Sequence, residues 1–68
     1  MNEDKAGLIL NAIGMAVMDL MADNVTITIE SLVEQLQHNQ RESSSVTDKM
    51  ANRDAAEVVR SWGEKPLH

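Results

Sequence analysis

The residues best able to do chemistry in this chain are two histidines, five methionines and a scatter of hydroxyls and carboxylates. Glu34, His38 and Glu42 are four residues apart, so a helix through all three would stack a carboxylate, an imidazole and a carboxylate on one face. That column has donors for a divalent ion, or for tuning the imidazole towards general-base work. Residues 38–45 are polar and read as a loop, however, and a solvated helix end accounts for the column better. Met15, Met18 and Met21 follow at intervals of three, and thioethers are soft ligands suited to Cu(I). Their aliphatic neighbours favour a packing role at an oligomer or partner interface instead. The nucleophile candidates are the hydroxyls of Ser31, Ser43, Ser44, Ser45, Thr47 and Ser61. None sits in a glycine-framed elbow, none has an evident histidine–acid pair to activate it, and the three glycines form no phosphate-cradling loop. Cysteine is absent, which removes disulfides, thiolate metal sites and thiol nucleophiles. His38 and His68 cannot close a structural metal site by themselves. The reading is a non-enzyme with no catalytic residue, metal or cofactor.

With chemistry set aside, length and charge define the class. A 68-residue chain is a single domain that buries only about 60% of its unfolded surface, so it needs a staple, and without cysteine or a metal site that staple is association. The formal net charge is −5. Residues 1–40 carry six acids and one base, a net of −5, while residues 41–68 carry five of each and balance. The acidic half repels phosphate backbones, and Trp62 is the sole aromatic residue, so nucleic acid is an unfavourable partner. The counter-signals are a small basic patch from Lys49, Arg53 and Arg60 and a helix–turn–helix succession around Asp23-Asn24. Glu3 and Asp4 stand where a secretory signal would carry positive charge, and the apolar stretch at 6–22 is interrupted by Asn11 and Asp19. That stretch also falls short of the roughly 20 apolar residues of a membrane span. No membrane insertion and a cytoplasmic location are expected.

The elements follow from periodicity. Leu10, Ile13, Val17 and Leu20 mark a helical stripe within residues 4–22, and a second stripe of Leu8, Met15, Met18 and Ala22 lies round the side. A helix apolar on most of its circumference needs cover on most of it, and a second copy is the natural cover. Gly7 and Gly14, with Ala12 and Ala16, are small enough to let two backbones come close. Asp23 and Asn24 break this helix. Residues 25–29 alternate like a strand but have none to pair with, so 25–27 read as an extended connector. Thr26 or Thr28 then caps a helix over 28–38 that presents Ile29, Leu32, Val33 and Leu36. A loop at 39–45 precedes a third helix over 46–62, capped by Ser45 or Thr47, with Ala51, Ala55, Val58, Val59 and Trp62 on one face. Gly63 is placed as its C-terminal cap and Pro66 prevents resumption, leaving a tail at 63–68. This helix, less apolar than the first, is expected to be the most loosely held. Trp62 reads either as the side chain that pins it to the other two or as an interface hot spot. Asp19 is either exposed or paired with Lys49 or Arg53.

Residues 14–21 (Gly-Met-Ala-Val-Met-Asp-Leu-Met), then Asp23-Asn24-Val25, then residues 31–37 (Ser-Leu-Val-Glu-Gln-Leu-Gln) form a succession that resembles the YmgB/AriR family of small enterobacterial regulators. The resemblance implies an all-helical homodimer regulating biofilm formation and acid resistance, a connector that feeds a two-component phosphorelay (a sensor kinase or response-regulator system) through protein contact. It also implies structural roles for Gly14, Val17, Leu20, Val25, Leu32, Val33 and Leu36, and it transfers no catalytic residue.

The combined expectation is an all-α, single-domain protein of residues 1–68: a helical hairpin plus a C-terminal helix, forming a homodimeric bundle. Its core and dimer contacts are expected from Leu10, Ile13, Gly14, Val17, Leu20, Met21, Leu32, Val33 and Leu36. A further protein partner is expected at Met15, Met18 and Trp62. The function expected is that of a noncatalytic regulatory adaptor. The alternative is a DNA-associated transcriptional regulator or an acidic DNA-mimic inhibitor.

Overall fold

The spacing of apolar residues resolves into three helices, α1 (Glu3–Ala22), α2 (Ile29–Glu42) and α3 (Val46–Glu64). The computed structural model describes residues 3–64, and among these there is no strand, so the fold is all-α. Of the expected C-terminal tail, residues 65–68, with Pro66 and His68, lie outside the described residues.

Local chemistry decides where each helix stops. α1 ends in a Schellman turn: the Val25 N–H donates to the Leu20 carbonyl at 2.9 Å and the Asn24 N–H to the Met21 carbonyl at 3.1 Å. Asn24 adopts φ 56°, the left-handed region that asparagine enters more readily than other side-chain-bearing residues. After residues 25–27, which are neither helix nor strand, Thr28 caps α2. Its Oγ1 accepts from the Ser31 N–H at 3.0 Å, while Ser31 Oγ accepts from the Thr28 N–H at 2.8 Å, so two orphan donors satisfy each other in a capping box. Ser31 Oγ also donates to the Thr26 carbonyl at 2.8 Å, which ties the connector to the helix start. α2 then continues past the expected end at His38 to Glu42, leaving only residues 43–45 as the turn. The polar run at 39–42 stays helical because its outward side chains suit water, and Lys49 Nζ donates to the Gln40 carbonyl at 3.0 Å near the negative helix end. Ser45 caps α3 through its Oγ, which accepts from the Asp48 N–H at 3.3 Å. α3 runs through Gly63 to Glu64 with no glycine at positive φ, so Gly63 is not the cap that its position suggests. Its missing side chain serves proximity instead, since a Cβ there would meet Ile29 Cδ1 at 3.1 Å.

The core is built chiefly from alanine. Buried hydrophobic residues are Ile9, Ala12, Ala16 and Leu20 of α1, Leu36 of α2, and Ala51, Ala55, Ala56 and Val59 of α3. One cluster joins all of these except Leu20, with Ile13, Leu32, Val33 and Val58 packed around it. Leu36 and Val59 are the largest side chains fully removed from water. Methyl groups at the helix contacts bring the backbones close, because interaxial distance follows the size of the side chains between them. The third helix is not the loosely held one: α3 supplies four of the nine buried residues and packs most extensively on α2. Trp62 does not pin it, being 52% exposed, while Val59 one turn earlier is fully buried.

Few polar contacts fasten the layers. Asp19 Oδ2 accepts from Asn39 Nδ2 at 3.2 Å, and Asn39 Oδ1 accepts from Gln35 Nε2 at 3.0 Å, joining α1 to α2. Asp19 therefore pairs with an amide on α2 and not with Lys49 or Arg53. Asp54 on α3 lies between Lys5 Nζ at 3.6 Å and Arg53 Nη2 at 3.3 Å, joining α3 to the start of α1.

Two substitutions test this account by urea unfolding. Ala55→Leu forces the bulk of an isobutyl group into a fully buried position that now holds a methyl, and should destabilise the fold by about 1–3 kcal/mol. Asn24→Val places a β-branched residue at positive φ and should cost about 1–2 kcal/mol, whereas Asn24→Gly should leave stability equal to or above that of the parent.

Candidate interaction surface

α1 is the most apolar helix and yet only 22% of its Asp4–Ala22 stretch is buried within the chain. The side turned inward carries Ile9, Ala12, Ala16 and Leu20. The side turned outward carries Leu10 at 68% exposure, Met18 at 69% and Met21 at 62%, with Val17 half-buried beside them. Gly7 and Gly14 share this outer side at helical spacing, and both are exposed. A Cβ built on either glycine would meet nothing within 4 Å, so no close approach inside the chain accounts for them. Neither has positive φ, and mid-helix glycine costs about 1 kcal/mol relative to alanine. The outer face is thus an uncharged strip of large apolar side chains with exposed Asn11 and two glycines among them, and nothing in the protomer uses the small size of the glycines.

The expected core and contact residues divide between the two sides. Leu20 and Leu36 are buried, and Ile13, Leu32 and Val33 pack against the core cluster. Leu10, Gly14 and Met21 lie on the outer face, with Val17 at its edge. Of the expected partner-binding residues, Met18 sits with the outer strip, Met15 is exposed further round α1, and Trp62 is exposed on α3, separate in sequence from both. Ile9, Ala12 and Ala16, which do hold α1 to its neighbours, are not among the expected contacts. On a helix apolar nearly all round, periodicity does not say which side meets the chain; the signal that does is the second set of alanines at 51, 55 and 56, able to meet Ala12 and Ala16 closely.

The residues with chemical potential are not assembled into a reactive site. α2 does extend through Glu34, His38 and Glu42, so they share one side of the helix, but all three are exposed. Among the described residues no group of three or more histidine, aspartate or glutamate side chains is placed to hold a metal ion. Four of the six candidate hydroxyls are engaged by backbone: Ser31 in the α2 cap, Ser43 donating to the Ser45 carbonyl at 3.3 Å, Ser45 in the α3 cap, and Ser61 donating to the Val58 carbonyl at 2.7 Å; Ser44 and Thr47 are exposed. A depression of about 390 Å³ between α1, the end of α2 and the start of α3 is walled by Asn11, Asp19, Asn39, Glu42, Asp48 and Asn52 beside apolar residues. It has three carboxylates and three amides, with no histidine or cation beside them to make an acid–base or nucleophilic pair.

By length and composition alone, Asp4–Ala22 is also long and apolar enough to cross a membrane, contrary to the count made from strictly apolar residues. A helix can pass that test and still be the core helix of a soluble protein. Here the inward side packs on α2 and α3 through alanine, and the outward side is the uncovered strip. No protein family, no curated protein and no solved structure matches this chain.

Proposed function

We propose that this chain is a noncatalytic regulatory adaptor, working as a helical homodimer that contacts a further protein. The observation that carries the reading is the outer face of α1, where Leu10, Met18 and Met21 stand mostly in water beside Val17 and two glycines. Contiguous apolar surface of this kind on a small protein marks an interaction site. The occupant is protein rather than lipid. Asp4, Asp19 and Asp23 flank the strip, Lys5 is the one base on α1, and the helix has no arginine, tryptophan or tyrosine to anchor it at an anionic membrane surface. Hydroxyls tied into caps, and carboxylates without an activating neighbour, support the noncatalytic part. The role of connector to a two-component phosphorelay in biofilm or stress control rests on the resemblance over residues 14–37, and a cytoplasmic location accompanies it.

Sedimentation equilibrium from low micromolar to near-millimolar concentration, with circular dichroism on the same samples, tests the dimer. The expected result is a helical dimer whose association tightens as salt is raised from about 50 to 500 mM, because two chains of net charge −5 repel and salt screens them. Binding to DNA or to a basic partner would instead weaken over that range. A helical monomer at every concentration would overturn the homodimer. Substitution separates the faces: Val17→Asp should weaken association by several kcal/mol, since it places a charge against an apolar contact, whereas Glu34→Lys on exposed α2 should change stability by less than about 0.5 kcal/mol. Equal effects would mean that α1 is not the contact.

A further inference from the structure

We infer that the segment joining α1 to α2 pairs with the same segment of a second copy, as two antiparallel strands about a two-fold axis at Ile27. The inference rests on the homodimer reading and adds to its α1 contact a second one, made by backbone.

The backbone of this segment is engaged on one edge only. Ser31 Oγ donates to the Thr26 carbonyl at 2.8 Å and accepts from the Thr28 N–H at 2.8 Å, so the two groups that flank Ile27 converge on one oxygen. No peptide here is cis, and in a planar trans peptide the N–H points opposite to the carbonyl. The Ile27 N–H, opposite the Thr26 carbonyl, and the Ile27 carbonyl, opposite the Thr28 N–H, are therefore both turned away from Ser31. By the same rule the Ile29 N–H points away from α2, because the Thr28 carbonyl accepts from the Leu32 N–H at 2.9 Å. No hydrogen bond joins the Ile27 N–H, the Ile27 carbonyl, the Val25 carbonyl or the Ile29 N–H to a described residue, and residues 25–29 are all exposed.

A residue that offers its N–H and its carbonyl together on an open edge is half of an antiparallel hydrogen-bonded pair, and the other half offers the same two groups. A second Ile27 is that other half. Each Ile27 N–H then donates to the carbonyl of the partner's Ile27, and each Ile29 N–H to the carbonyl of the partner's Val25, so every group left free is used once. Parallel pairing is closed off: Ile27 would need the partner's Thr26 carbonyl and the partner's Thr28 N–H, which Ser31 already holds in each copy. The side chains agree with the antiparallel register. Val25, Thr26, Ile27, Thr28 and Ile29 are all β-branched, the type that suits strands. Residues 25, 27 and 29 meet 29, 27 and 25 of the partner, apolar against apolar, and Thr26 meets the partner's Thr28. A slip of one residue would set isoleucine against threonine and bring Ile27 to groups already engaged. Asp23 and Glu30 bound this uncharged run, so the pairing is confined to it and salt favours it.

Nuclear magnetic resonance on an equimolar mixture of isotope-labelled and unlabelled chain, at a concentration where sedimentation shows dimer, tests the pairing through NOEs filtered to report contacts between chains. In the inferred register Thr26 and the partner's Thr28 form a non-hydrogen-bonded pair with Cα atoms about 4.5 Å apart. Within one extended chain the same two residues are about 6.6 Å apart. The expected result is a strong Hα–Hα NOE between Thr26 of one chain and Thr28 of the other, with exchange of the Ile27 amide proton slowed at least tenfold relative to diluted monomer. A ladder in any other register, or a dimer with no interchain NOE from residues 25–29, would overturn the inference and leave the homodimer intact. A parent chain that stays monomeric in sedimentation would overturn the homodimer reading itself. Ile27→Pro adds a check that does not depend on labelling. It removes an N–H that bonds nothing within the protomer, so it should preserve helicity, and by deleting two hydrogen bonds from the dimer it should raise the Kd about tenfold or more. An unchanged Kd would refute the pairing.

Discussion

Close contact through alanine is the constraint on which the rest of this structure depends. Ala12 and Ala16 of α1 cluster with Ala51, Ala55 and Ala56 of α3, and Leu36 and Val59 are the only sizeable side chains wholly removed from water among the described residues. Such a seam gives dense packing with little area for each residue, and hydrophobic stabilisation scales with area removed from water, at about 25 cal/mol per Å². A short chain assembled in this way holds its helices together with methyl groups on one side of α1. Leu10 and the thioethers of Met18 and Met21 remain on the other, while Ile9 and Leu20 are buried with the alanines. The apolar outer strip is thus a consequence of how the core is made: Ile9, Ala12, Ala16 and Leu20 are taken up on the inside, and Leu10, Met18 and Met21 are left uncovered.

The helix ends make that seam possible by fixing the lengths and directions of the three helices. The turn with Asn24 in the left-handed region closes α1 with two hydrogen bonds, and the Thr28–Ser31 box opens α2 after a connector of three residues. Ser45 opens α3 three residues after α2 stops. With such short connections the helices have little freedom to choose neighbours, and the order of the chain largely dictates the packing. The polar groups that bridge helices are part-buried Asp19 with Asn39, and Asp54 with the exposed Lys5. The same economy explains why no reactive constellation forms. Serine hydroxyls complete caps and turns, and the acidic side chains on α2 face water.

Much of this was legible in the residues because it depends on local physics. Three helices, the break at Asp23-Asn24, a non-helical connector and the choice of cap between Thr26 and Thr28 and between Ser45 and Thr47 all follow from side chains acting on backbone within a few positions. So does the absence of thiol chemistry, which composition alone decides. What was not legible was direction. α1 is apolar nearly all round, and its stripe of Leu10, Ile13, Val17 and Leu20 mixes residues from both sides: Ile13 and Leu20 turn to the chain, and Leu10 turns away. Trp62, the largest side chain present, stands half in water although it falls on the same predicted face as the buried Ala51, Ala55 and Val59.

The chain by itself therefore determined the three helices, the candidate residues that open the second and third, and the overall acidic charge, since each is a property of neighbouring residues or of composition. It did not determine that α2 continues to Glu42, where Lys49 from the next helix reaches the Gln40 carbonyl, nor that Gly63 gives room to Ile29 instead of ending α3. Tertiary structure decided those points, and it decided which side of α1 stays open. The reason is that burial is settled by which partner comes closest, and alanine at 51, 55 and 56 draws in the side of α1 that carries Ala12 and Ala16.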